Sequence, residues 1–368
     1  VSETQTFYVG TYVGEPEEAS LFQCRLDPAS GQIETVAEAR EIPNPSFLAG
    51  SSARKTLYAV SEHDPRRAGE NGKVHAFRID PDAGAITSIN RADSGGVGPC
   101  FVSVEPYGAF VCVTSYAGGT VAILPIRNEG GLDEPSCVRK LTGSGPNPER
   151  QEAPHPHSAY VSADGRTLLV PDLGADLVRL FEIDRDALRI EEAEGIRMPP
   201  GSGPRHMAFH PSGRHAYVVN ELDGTVSLLE LRGNGAAGEV FETVPLLGQP
   251  AQRETAGAHL ELDASGRYLY ASARDNSRLL VFAVKQPRNR LSLVQEVGSG
   301  GVRPRNFALA PGGRFLLAAN HDTDNIALFR VDPDAGTLTE HADETGAGAV
   351  ADAPSGVRLP APVCVAFL

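Results

Sequence analysis

Short apolar runs alternate with polar, glycine- and proline-rich breaks along the whole chain. Seven share one shape: Phe7 to Tyr12, Leu57 to Glu62, Val111 to Tyr116, Leu168 to Leu173, Ala216 to Glu221, Leu269 to Arg274 and Leu316 to His321. They recur roughly every 50 residues, the period of a four-stranded blade with generous loops. Six are preceded by a second run: Phe47 to Ser52, Phe101 to Pro106, Ser158 to Ala163, His206 to Pro211, His259 to Ala264 and Asn306 to Pro311. The gap between the two runs is short and polar, as in Asp164-Gly165-Arg166 or Ser212-Gly213-Arg214, which is the signal of a hairpin.

Phe7 has no such run upstream of it. The missing copy stands at the other end of the sequence, Val363 to Leu368, so the C-terminal strand is expected to join the N-terminal blade and close a ring. Outer runs such as Ser20 to Leu26 and Ile326 to Val331 complete each unit. The pattern predicts an all-β, seven-bladed β-propeller with four antiparallel strands per blade, residues 1–368 forming one domain, although that length alone suggests two or three. Two stacked β-sandwiches match the short strands but not the fixed offsets. An α/β barrel fails because no amphipathic run of helical length separates the strands. The 39 glycines and 28 prolines supply the turns that so many strands require.

Composition narrows the partners. With 47 acidic against 33 basic residues the formal net charge is -14, which argues against nucleic acid or an anionic membrane surface. No stretch of about eighteen apolar residues occurs, and the first residues lack a basic region followed by an apolar run, so a cytoplasmic location is expected. The five cysteines are scattered and never spaced as Cys-x-x-Cys, which points to neither a disulfide scaffold nor a zinc site. No nucleophile elbow, phosphate-binding loop or dinucleotide fingerprint is present, and no cofactor or obligate protein partner is implied.

Hairpin geometry brings the start of each inner run and the end of the next to the same mouth of the ring. The starts hold Cys100, His157, Arg205-His206, His259 and Arg305-Asn306, and the ends hold Tyr12, Glu62, Tyr116, Glu221, Arg274 and His321. Of the ten histidines, His155, His157, His206, His259 and His321, with His63 a further candidate, fall at or near this rim. His210 and His215 fall toward the opposite hairpins and read as structural. Arg205 and Arg274, from consecutive units, can hold a carboxylate or phosphate with bidentate hydrogen bonds and steady a developing oxyanion, or merely pair with Glu221. The histidines and Glu221 suffice in number for zinc, but the arginines among them disfavour a cation, so no metal is expected.

Specific segments carry a resemblance: Phe7-Tyr-Val-Gly-Thr-Tyr12, His155-Pro-His-Ser158, Gly203-Pro-Arg-His-Met-Ala-Phe-His-Pro211 leading into Tyr217-Val-Val-Asn-Glu221, Arg274, and Arg303-Pro-Arg-Asn-Phe307. From end to end the chain resembles the propeller-type lactonases, which include bacterial 6-phosphogluconolactonases and 3-carboxy-cis,cis-muconate lactonizing enzymes. The resemblance implies an active constellation of one histidine, two arginines and one glutamate, falling on His157, Arg205, Arg274 and Glu221. His155 competes with His157 for its role.

In lactone hydrolysis Glu221 is expected as general base on water, its pKa raised by burial and opposed by the arginines, with His157 as acid or exchanging roles with it. His155, His206, His259, Arg305, Asn306 and His321 are the expected substrate contacts, His206 and His259 having a structural role as the equal alternative. The expected substrate is a small anionic lactone or carboxylate, most concretely 6-phospho-D-glucono-1,5-lactone, with muconate cycloisomerisation second. A noncatalytic propeller is the remaining class, disfavoured by the absence of tryptophan and the scarcity of aromatic anchors.

Overall fold

The computed structural model describes residues 4–62, 70–80, 83–248, 256–341 and 356–368. Seven antiparallel sheets, each built on a four-strand meander, succeed one another along the chain. In the first blade the inner strand is Pro362–Phe367, followed outward by Gln5–Thr11, Leu21–Leu26 and Ile33–Ala39. The ring is thus closed by the C-terminal strand, as the displaced repeat implied. The inner strands of blades two to seven are Leu48–Ser51, Pro99–Val104, Tyr160–Val161, Pro204–Phe209, Gly257–Leu262 and Pro304–Leu309. Blade seven departs from the pattern by one short strand, Val357–Arg358, which pairs with Asn325–Val331.

The second strand of each blade is packed on both faces, which is why its sequence reads as a continuous apolar run rather than an alternation. Thr56–Ser61, Phe110–Ser115, Thr167–Asp172 and Phe315–Asn320 are buried at every residue. The core is divided among the seams between neighbouring blades. Tyr217 and Val219 of blade five meet Leu269 and Ala271 of blade six, and Phe7 and Val9 of blade one meet Phe315 and Leu317 of blade seven. No helix among the described residues is long and apolar enough to cross a membrane.

One recurrent irregularity positions the site. Near its start, the inner strand carries one residue more than its partner in blades three, five, six and seven, where the register shifts after Pro99, Pro204, Gly257 and Pro304. A bulge of this kind re-aims side chains. The extra residue is Cys100 in blade three, Arg205 in blade five and Arg305 in blade seven. Blade four has the same shift between the Pro156–Asp172 bridge and the Tyr160–Leu169 pair. Its regular inner strand therefore shrinks to Tyr160–Val161, shorter than the run from Ser158 to Ala163, while the His157 amide still bonds the Pro171 carbonyl at 2.9 Å.

Candidate active site

Two chain segments place the acid. Gly203 turns the backbone through φ 65°, where a side chain would strike Leu222, and its carbonyl accepts the Glu221 amide at 2.8 Å. This ties the end of His215–Asn220 to the start of Pro204–Phe209. Arg205 and Glu221 therefore meet, with Arg205 Nε 3.0 Å from Glu221 Oε2. Arg274, which follows the second strand of blade six, reaches the other carboxylate oxygen, Nη2 to Oε1, at 3.0 Å. The loop between blades three and four adds Arg150, whose Nη2 lies 2.7 Å from the same oxygen and 3.2 Å from the Tyr116 hydroxyl. Three guanidinium groups thus surround one buried carboxylate.

That arrangement decides the charge state of Glu221. Burial alone raises a carboxyl pKa, but here Arg274 and Arg205, with Arg150, outweigh it and hold Glu221 well below the usual carboxylate range. The rise expected from burial is overturned. Burial, reinforced by Arg274 and Arg305, pushes the Arg205 guanidinium down to about 9, which still leaves it cationic near neutrality.

Beside this cluster three imidazoles meet, one from each of blades four, five and six. The ring centroids of His157 and His206 are 5.3 Å apart and those of His206 and His259 are 5.1 Å apart, each pair edge to face. The Nδ1 atoms of His206 and His259 are 2.8 Å apart, so one ring donates to the other. Burial, with Arg205 adding to it, lowers all three, His259 to about 3 and the other two well below their ordinary value. All three are therefore neutral imidazoles at neutral pH.

The remaining candidates divide. The His155 ring is stacked on Tyr116 at 4.3 Å, with Nδ1 3.0 Å from the Tyr116 carbonyl and Nε2 3.2 Å from Glu152, so its polar atoms are engaged in holding the loop. Asn306 accepts the Val365 amide at 2.8 Å and stitches blade seven to the closing strand. Arg305 and His321 instead line a 270 Å³ cavity together with Tyr12, Arg274 and Arg303. His63 lies outside the described residues. Among the described residues, no three His, Cys, Asp or Glu side chains converge as metal ligands.

Arg150 escaped the sequence reading, and Arg303 entered it only within the Arg303-Pro-Arg-Asn-Phe307 segment and not as a site residue. Strand-end positions were the only guide to the rim, and Arg150 lies in the irregular segment between Gly143 and His155. Its one signal was proximity to the His155-Pro-His157 motif. Cys100, at a rim position, is no nucleophile: burial pushes its thiol up to about 12.

The fold is a seven-bladed β-propeller with a cationic cluster at one mouth, and the chain belongs to the seven-bladed β-propeller lactonase family, whose model matches residues 6–367. It is 33% identical to the 6-phosphogluconolactonase of Bacillus subtilis, covering 98% of this chain and 97% of that protein. It is 31% identical to the 6-phosphogluconolactonase of Formosa agariphila, covering 92% and 95%. The solved structure of the periplasmic gluconolactonase of Pseudomonas aeruginosa is similar with a TM-score of 0.89 at 30% identity, covering 100% of this chain and 99% of that one.

Proposed function

We propose that this protein hydrolyses 6-phospho-D-glucono-1,5-lactone to 6-phospho-D-gluconate. The observation that carries the reading is the three-arginine clasp on Glu221 beside the neutral imidazole of His157. The names of the relatives favour the phosphorylated sugar lactone over a muconate.

In this reading water attacks the lactone carbonyl carbon and His157 takes its proton. The ring carbon–oxygen bond then breaks, and the imidazolium returns the proton to the departing ring oxygen. Arg274 and Arg205 face the carbonyl oxygen as it gains negative charge. Glu221 is assigned as a positioning residue rather than the base. Its carboxylate is held so far below neutrality that it is a weak proton acceptor, while it fixes three cations in place. Burial and then Arg205 depress His157, and a bound dianion offsets the arginine part, so its basicity rises when substrate is present.

The test is acid release from 6-phospho-D-glucono-1,5-lactone, measured above the spontaneous rate for wild type and His157→Ala, with 3-carboxy-cis,cis-muconate as the competing substrate. Catalysis confined to the lactone and lost by about 10² or more in the variant supports the reading. Turnover of the muconate alone, or folded protein with no catalysis, overturns it.

A further inference from the structure

The clasp on Glu221 leaves part of the mouth's positive charge unspent. The 270 Å³ cavity spans the seam where the ring closes, with Tyr12 from blade one, Arg274 from blade six, and Arg303, Arg305 and His321 from blade seven. Among the described residues its lining carries three guanidinium groups and no carboxylate.

The three differ in what they already hold. Arg274 gives one terminal nitrogen to Glu221, and its Nε is buried with no hydrogen-bond partner among the described residues. Arg303 is half-exposed and makes a loose pair with Asp322 at 3.5 Å. Arg305 makes no ion pair or hydrogen bond among the described residues. Its guanidinium carbon instead sits 4.9 Å from the centre of the Tyr12 ring. Such a contact leaves many of the N–H donors of a planar guanidinium available to a ligand.

The Tyr12 ring is itself fixed. Its hydroxyl donates to Glu62 Oε2 at 2.8 Å, and its ring meets His321 edge to face at 5.7 Å. Arg305 is thus a cation held against a ring face, with the Glu62 and Glu221 carboxylates acting on it from a distance and no hydrogen-bond partner among the described residues.

We propose that this cavity is the seat of the substrate's phosphate, with Arg305 as its principal anchor, Arg303 as a second contact and the Arg274 side chain at its border. The assignment rests on the lactonase reading above and extends it by separating two tasks. Arg274 stands at the border, with one terminal nitrogen on the Glu221 cluster while its side chain lines the cavity. The end of the mouth near Glu221 and His157 performs the chemistry, and the blade-seven end selects a substrate bearing a terminal dianion. Three forked donors suit a phosphate monoester, which offers three charged acceptor oxygens, better than a lone carboxylate, which offers two.

The experiment compares wild type, Arg305→Ala and Arg303→Ala. The Arg303 side chain is exposed enough that its loss leaves the fold intact. For each, kcat/KM is measured on 6-phospho-D-glucono-1,5-lactone and on D-glucono-1,5-lactone. Binding of 6-phospho-D-gluconate, D-gluconate and inorganic phosphate is measured by calorimetry. The preference for the phosphorylated lactone is expected to fall by about 10²-fold in Arg305→Ala and about tenfold in Arg303→Ala, and the affinity for 6-phospho-D-gluconate to fall toward that for D-gluconate.

Equal losses on both lactones, or equal binding of 6-phospho-D-gluconate by wild type and Arg305→Ala, place the phosphate elsewhere and overturn the proposal while leaving lactone hydrolysis standing. If no protein turns over either lactone, the reaction assigned above fails, and the calorimetric comparison alone decides whether this is a phosphate site.

Discussion

Arg205 and Glu221, sixteen positions apart in the chain, face each other across the first hairpin of blade five with Nε 3.0 Å from Oε2. Both are almost fully buried, so neither has water as an alternative partner. The contact joins fold to chemistry, because the same bulge that frees Arg205 from regular pairing aims it at the acid.

Glu221→Gln keeps the shape and removes the charge. Three guanidinium groups are then left facing a neutral amide, and breaking a buried ion pair costs about 3–5 kcal/mol. Lower thermal stability is expected, together with a fall in kcat of about 10² or more as the arginines lose their alignment. The pH profile separates positioning from base catalysis. Glu221 raises the pKa of His157, so the acid limb of kcat/KM should move to lower pH in the variant. Disappearance of the limb would instead identify Glu221 as the base.

Arg150 holds Glu221 from a loop, and its side chain is 44% exposed. Arg150→Ala should therefore spare the melting temperature while lowering kcat/KM by about tenfold, the equivalent of about 1.4 kcal/mol. A melting temperature lowered as far as in Glu221→Gln would show that the loop is part of the structural core.

Stability should fall on acidification below about pH 6.5. His157, His206 and His259 are all lowered in the folded state, so the unfolded chain binds their protons first, each contributing up to about 1.4 kcal/mol per pH unit. Glu261 acts in the opposite sense. Burial raises its carboxyl to about 7, so between about pH 4.5 and 7 the folded state is the one that holds the extra proton. Urea titrations between pH 5 and 7 should therefore show a net proton uptake on unfolding. The uptake should drop by about one in His259→Asn and rise by about one in Glu261→Gln. A stability that is flat with pH would refute buried neutral imidazoles.

The strand Pro362–Phe367 contributes Val365 and Cys364 to two seams and buries Val363, and its Val365 amide is bound by Asn306. Deleting it should abolish cooperative folding, since each fully buried valine contributes about 1.5–3 kcal/mol and its neighbours become unpaired edges. Asn306→Ala is the milder version: a buried N–H loses its acceptor, at about 1–3 kcal/mol. Its effect should be read in the melting temperature rather than in KM. The reverse result would return Asn306 to the substrate.

The ring was legible because each doubly buried strand announces itself as an apolar run, and Val363 to Leu368 showed where it closes. The rim was legible as far as strand ends define it, which brought Arg205, Glu221 and Arg274 together correctly. Two features were hidden. Arg150 comes from a segment with no period to place it. The protonation of Glu221 depends on a count of neighbouring cations that only the assembled geometry supplies.

Tyr12 follows the second strand of blade one and Arg305 lies in the inner strand of blade seven, so the two meet only when the ring is closed. A nascent chain carrying every catalytic side chain through blade six still lacks the seam cavity. Under the phosphate assignment proposed above, selectivity for charged over neutral lactone doubles as an assay of completed topology, readable in a protein too dilute for spectroscopy.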